Sequence, residues 1–135
     1  MMDLVIEFTS EQIVEPRRAA GLRETGAEVE FRGIVREGED GRTISGLEYE
    51  AHVPMARREL EKIVARLTQE WQEWPVQGVW FIHRTGWVPV GEASLYIRVH
   101  ARRREAAFRF CMALVDLLKK DVPVWKSSAA NTVRE

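Results

Sequence analysis

The chain has 135 residues, 45% of them apolar and 30% charged, with a formal net charge of −1. Such a length predicts one domain, residues 1–135, and so even a charge offers no whole-molecule field for nucleic acid or an anionic membrane. A single cysteine, Cys111, excludes an internal disulfide framework and argues against a cysteine-based zinc site, and nothing else in the sequence calls for a bound metal or cofactor. The N-terminus has no basic region followed by a long apolar run, and no stretch approaches the ~20 apolar residues of a membrane span, so a cytoplasmic protein is expected.

Met2 to Phe8 is compatible with a strand, with Thr9 and Ser10 as turn or cap residues. Pro16 needs no amide partner in a first helical turn and suits a short helix through Leu22. From Gly26 to Arg36 the chain alternates: Ala27, Val29, Phe31 and Gly33 share one face, Glu28, Glu30 and Arg32 the other. Period two marks a half-buried strand. Gly38 to Gly41 signals a turn and Thr43 to Glu50 a returning strand, most economically a hairpin with a loop of several residues.

Pro54 opens a helix in which Met55, Leu60, Ile63, Val64, Leu67 and Trp71 recur at helical spacing, and which stops before Pro75. Val76 to Arg84 is β-rich. Gly86 and the segment Val88 to Gly91 form a connection. Ala93 to Ala101 is a strand with Leu95, Ile97 and Val99 on one face and Tyr96, Arg98 and His100 on the other. A second helix runs from about Arg103 to Lys119, with Ala107, Phe110, Cys111, Leu114, Val115 and Leu118 as its apolar stripe. Pro123 forbids its continuation, and Val124 to Ser128 suits a last short strand. The order, roughly β-α-β-β-α-β-β-α-β, predicts an α+β fold with a mixed, mostly antiparallel sheet and two main helices.

Two clusters bear chemistry. In Leu118 to Lys126 a helix ends in lysines, a proline turns the chain, and Trp125 precedes Lys126. Cations at a helix C-terminus offset the macrodipole, which is one sufficient reason for them. The other is that the turn returns Lys126 beside Lys119, where two ammonium groups depress each other's proton affinity and free one for acid, base or nucleophilic work. Arginines form the second cluster: Arg32 and Arg36 near a strand end, and Arg102, Arg103 and Arg104 at a helix start. Cations are unfavourable there unless they bind an anion together with the free helix amides. His52, His83 and His100 lack metal-ligand spacing and suit core or hydrogen-bonded positions. Cys111, on an apolar helix face, suits a buried inert thiol. Trp71, Trp74, Trp80 and Trp87 suit core or interface positions.

The ordered set of motifs resembles the large-subunit family of molybdopterin synthase, in register from about Gly26 to Lys126. Phe31 to Arg36 is similar to the family's Phe-x-Gly-x-Val-Arg strand. Leu47 to Glu50, then Met55-Ala56, His83 to Gly86 and Gly91 to Ser94 follow in its order. Lys119 to Lys126 is similar to its Leu-Lys-x-x-x-Pro-x-Trp-Lys signature. Arg103 to Phe108 aligns with its His-Arg-x-x-Ala-Phe, arginine replacing histidine.

The resemblance implies an α/β-hammerhead fold and a homodimer of large subunits. Each would bind a small ubiquitin-like sulfur-carrier subunit by its Gly-Gly thiocarboxylate tail. The substrate would be a cyclic pyranopterin monophosphate, converted to molybdopterin by two sulfur transfers. It assigns catalysis to Lys119 and Lys126 and substrate binding to Arg36, Arg103, Arg104, Phe31 and Trp125.

Three other readings are open. Arg103 cannot exchange protons near pH 7, and family members continue past the signature into a Trp-containing tail, whereas this chain has Ser127-Ser128 and stops at Glu135. A catalytically impaired relative that binds the carrier or the pterin would fit both points. A nucleic-acid-binding module using Arg102 to Arg104, with Trp125 as a stacking platform, is the second. A structural oligomerisation domain with the lysines as surface residues is the third.

Overall fold

A computed structural model describes residues 2–15, 23–39, 41–121 and 124–126, and the short helix expected from Pro16 to Leu22 lies outside the described residues. In chain order the elements are β1 (Asp3–Thr9), β2 (Ala27–Ile34), β3 (Gly38–Glu39), β4 (Arg42–Thr43), β5 (Gly46–Ala51), α1 (Val53–Glu70), β6 (Val76–Arg84), β7 (Gly86–Pro89), β8 (Ala93–Ala101), α2 (Arg104–Asp121) and β9 (Val124–Lys126). A four-stranded sheet runs β1-β6-β8-β2, with β1 parallel to β6 and the other pairs antiparallel. A second sheet, β7-β5-β9, is antiparallel throughout. The architecture is the expected α+β fold with a mixed, mostly antiparallel sheet and two main helices.

The expected hairpin between the strands flanking Gly38 to Gly41 is corrected. That turn closes the two-residue ladder of β3 and β4, and β5 then joins the second sheet while β2 pairs with β8. Alternation identifies a strand, but the partner is chosen by distant contacts. For β5 these are Val35, Ile44, Leu47 and Val88, which form a small apolar core of their own. The supposed connection at Gly86 likewise forms β7, paired with β5.

The main core lies on one face of the four-stranded sheet. Ile6, Val79, Phe81, Ile97 and Val99 point from the strands into Leu60, Ile63, Val64 and Leu67 of α1 and Ala107, Phe110 and Leu114 of α2. The helical spacing of those residues places them on one stripe of each helix, and burying that stripe is what stabilises helices of this length. His52 caps α1, its Nδ1 accepting from the Met55 amide at 3.3 Å. Met55 leaves the expected stripe and is 45% exposed. Gly26, at the entry to β2, donates its amide to the Ala101 carbonyl at 3.0 Å. A Cβ there would stand 2.2 Å from the Arg102 carbonyl oxygen, so no other residue fits.

The opposite sheet face is polar yet largely buried. Tyr96, Arg98 and His100 alternate along β8, and each meets a partner on the sheet. The Tyr96 hydroxyl donates to Glu30, Arg98 lies 4.8 Å over the Trp80 ring, and His100 stands 3.3 Å from Glu28. Burial first, and then the bond to Glu30, pushes the Tyr96 hydroxyl well above its ordinary pKa, so it acts as a donor across the physiological range.

Candidate functional site

A cavity of about 300 Å³ opens where the second sheet meets the end of the main one. Its walls include Phe31 of β2, Tyr49 of β5, Phe81 and His83 of β6, and Val115 and Leu118 of α2. The elements bearing the expected catalytic residues border it. Lys119 follows Leu118 in the last turn of α2. Lys126 stands opposite Tyr49 in the β5–β9 register, and Trp125 stands opposite Glu50. Arg36 is exposed and lies two residues beyond Ile34, which also lines the cavity.

The segment before Arg36 is held firmly. The Val35 amide donates to the Glu92 carbonyl at 3.0 Å, and the Gly91 amide returns a bond to the Val35 carbonyl at 2.9 Å. Gly91 has φ +91°, a backbone region that favours glycine, so the turn presenting both groups depends on it. Arg84, almost fully buried, donates to Glu92 Oε1 at 2.6 Å and to the Trp87 carbonyl at 3.3 Å. The two separate motifs His83 to Gly86 and Gly91 to Ser94 are thus one structural unit, joined by an ion pair eight residues apart in sequence.

Arg103 and Arg104 lie elsewhere. Arg103 is exposed at the start of α2, where its carbonyl accepts from the Ala107 amide at 3.3 Å. Arg104 is exposed and pairs with Glu105 at 3.4 Å. Lys119 lies fifteen positions after Arg104 on α2, about 22 Å along the axis at the α-helical rise. Within one chain Arg103 and Arg104 therefore lie at the opposite end of α2 from Lys119. Arg32 is also outside the cavity, over the Tyr96 ring at 5.0 Å and 3.7 Å from Glu30. Arg102 pairs with Glu24 at 3.0 Å.

Of the histidines, His52 is a helix cap and His100 meets Glu28, as core or hydrogen-bonded residues should. His83 is hydrogen-bonded too, to the Arg84 carbonyl, and it also lines the cavity, which the sequence alone does not foresee. Its signal in the sequence is subtle: it continues the inward series Val79, Phe81 on β6 with a polar ring where the series should stay apolar. Cys111 is buried and burial pushes its thiol up to about 11, the inert state expected for it. A wider depression of about 610 Å³ lies by Trp71, Trp74 and Arg109, but there the guanidinium is stacked 4.9 Å over the Trp74 ring, and none of the motif residues reaches it. Among the described residues no cluster of metal-ligating side chains occurs, and no helix is long and apolar enough to cross a membrane.

Comparison with known proteins places the chain in a family. The family model for the MoaE protein matches residues 7–121. The human molybdopterin synthase catalytic subunit is 38% identical over 124 residues, covering 90% of this chain and 64% of that protein. A crystal structure of molybdopterin synthase from Staphylococcus aureus superposes with a TM-score of 0.71 at 28% identity, over 93% of this chain and 88% of that one. The chain in a Helicobacter pylori complex of subunits 1 and 2 of molybdopterin-converting factor shares the fold, with a TM-score of 0.66 at 21% identity over 94% and 84% of the two chains. The chain belongs to the MoaE protein family. It spans just under two thirds of the length of the human relative.

Proposed function

We propose that the chain is the catalytic large subunit of a molybdopterin synthase, transferring sulfur from a carrier thiocarboxylate to a cyclic pyranopterin monophosphate in molybdenum cofactor biosynthesis. The observation that supports this reading most is an aromatic-walled cavity lined by α2 and by β5, the strand that β9 pairs with, in a member of the MoaE family. Relatives named as molybdopterin synthase catalytic subunits support the activity, and the two-subunit Helicobacter pylori complex supports a small partner. The setting of action is the cytoplasm, with residues 1–135 as one domain.

The chemistry asks for two things. Opening the substrate ring and adding sulfur require proton transfers, which a lysine with lowered proton affinity supplies. Lys119 performs the acid–base work or forms a transient covalent adduct, and Lys126 holds an anion and tunes Lys119. The substrate phosphate and the carrier tail require fixed cations, the role of Arg36, Arg103 and Arg104, while Phe31 and Trp125 offer apolar surface to the ring. Because α2 separates Arg103 and Arg104 from Lys119, the arginines serve the cavity of a second copy in a homodimer.

The test is reconstituted turnover with the thiocarboxylated carrier and the cyclic pterin phosphate, detecting dithiolene product by mass. Product that vanishes with Lys119→Ala is expected. Carrier or pterin binding without product in the unaltered protein would favour the impaired-relative reading, which Arg103 in place of the family histidine supports.

A further inference from the structure

His83 lines the cavity with one ring nitrogen already committed to the backbone. Its Nδ1 lies 2.7 Å from the Arg84 carbonyl oxygen. A carbonyl only accepts, so Nδ1 carries the hydrogen and Nε2 keeps its lone pair. Burial lowers the ring's proton affinity, an effect the bond to the Arg84 carbonyl only partly opposes, so the ring is neutral near pH 7. Three rings confine it: Tyr49 edge-on at 5.3 Å, Phe81 at 6.4 Å and Phe8 stacked at 6.5 Å. The carbonyl that sets the tautomer is fixed as well. Its own residue is tied to Glu92 at 2.6 Å, and the next amide, Thr85, donates to the Thr9 carbonyl at 2.8 Å. Among the described residues none donates to Nε2.

An acceptor preset in an aromatic-walled cavity of about 300 Å³ suits a flat ring whose edge carries N–H donors. A pterin is such a ring, with an exocyclic amine beside a lactam N–H. An extended glycine tail also has amide donors but no face to lay against Phe31, Tyr49 and Phe81. We infer that His83 is a substrate-positioning residue, its Nε2 accepting a hydrogen bond from the donor edge of the pterin ring seated against Phe31, Tyr49 and Phe81. This rests on the pterin-substrate reading above.

The experiment titrates the cyclic pyranopterin monophosphate by fluorescence against the unaltered protein, His83→Phe and His83→Gln. Affinity for the thiocarboxylated carrier and steady-state turnover are measured beside it. His83→Phe keeps a ring and removes the acceptor, so pterin Kd and KM should rise about tenfold, with kcat within about twofold and carrier affinity unchanged. His83→Gln restores an acceptor near the Nε2 position and should recover much of the loss. Should His83→Phe fold poorly, the ¹⁵N resonance of Nε2 in the unaltered protein decides, since accepting a hydrogen bond from added pterin must shift it. Unchanged pterin affinity in a folded His83→Phe, a loss confined to carrier affinity, or an unmoved Nε2 resonance at saturating pterin would each overturn the assignment. Turnover in the unaltered protein alongside any of these leaves the synthase reading standing. Absence of both pterin binding and product removes the two together.

Discussion

The two ends of α2 carry different chemistry on one 18-residue rod. At the C-terminal end Val115 and Leu118 wall an apolar cavity, and Lys119 follows in the final turn. At the N-terminal end Arg103 and Arg104 stand in solvent beside free helix amides, where cations gain nothing from the macrodipole. Under the proposed function the substrate phosphate calls for those arginines, yet the helix keeps them about 22 Å from the lysine of the same chain. On the proposed homodimer, the difference means that a rigid element would divide one site between two symmetry-related copies, each giving one end.

The largest effect should come from the cavity end. Lys119→Ala is expected to lower kcat about a hundredfold or more while leaving the melting temperature near that of the unaltered protein. A comparable loss of melting temperature would make the lysine structural and erase the contrast between the ends.

Two phenylalanines on the same helix separate folding from assembly. Phe110 is 1% exposed and packs edge-on against Trp71, whereas Phe108 is 58% exposed. Phe110→Ala should cost about 3–5 kcal/mol in urea unfolding, from lost burial plus the cavity left behind. Phe108→Ala should change monomer stability by about 0.5 kcal/mol or less but weaken self-association in sedimentation. Unaltered association would place the dimer contact on another surface.

The smallest effect concerns His83. Its folded-state pKa lies below the ordinary 6.5, so the unfolded chain binds its proton first as pH falls. Stability from this group is full above 6.5 and declines as pH drops from there through the folded-state value. Denaturant midpoints between pH 7 and 5 should fall less steeply in His83→Phe than in the unaltered protein. Equal slopes would mean that the ring titrates alike in the folded and unfolded chains.

Local pattern carried much of this architecture. β6 and β8 occupy Val76–Arg84 and Ala93–Ala101, the spans that their alternation and flanking residues indicate, and α1 begins beside Pro54 as its cap chemistry requires. Pairing was not legible in the same way. The strand after Gly41 reads as the return arm of a hairpin, but Leu47 buries against Val88, some forty residues on, and no local rule contains that contact. The site divided along the same line. Motif order proposes Lys119, Lys126 and the arginines, whereas His83 reads from the sequence only as a core or hydrogen-bonded histidine, without its place at the cavity. What distinguishes it is a tautomer set by the neighbouring Arg84 carbonyl and a place in the lining of a cavity, and the cavity exists only where β5 and α2 come together.

The most direct measurement mixes two inactive variants. Lys119→Ala and Arg104→Ala proteins would be combined, dissociated, allowed to re-form dimers, and assayed with carrier and pterin phosphate. If Arg104 acts across the dimer, each mixed dimer holds one intact site, and random re-pairing should restore about one quarter of full activity. Activity no higher than that of the separate variants, with mixed dimers verified by native mass spectrometry, would contradict a site built from the two ends of α2 in different copies.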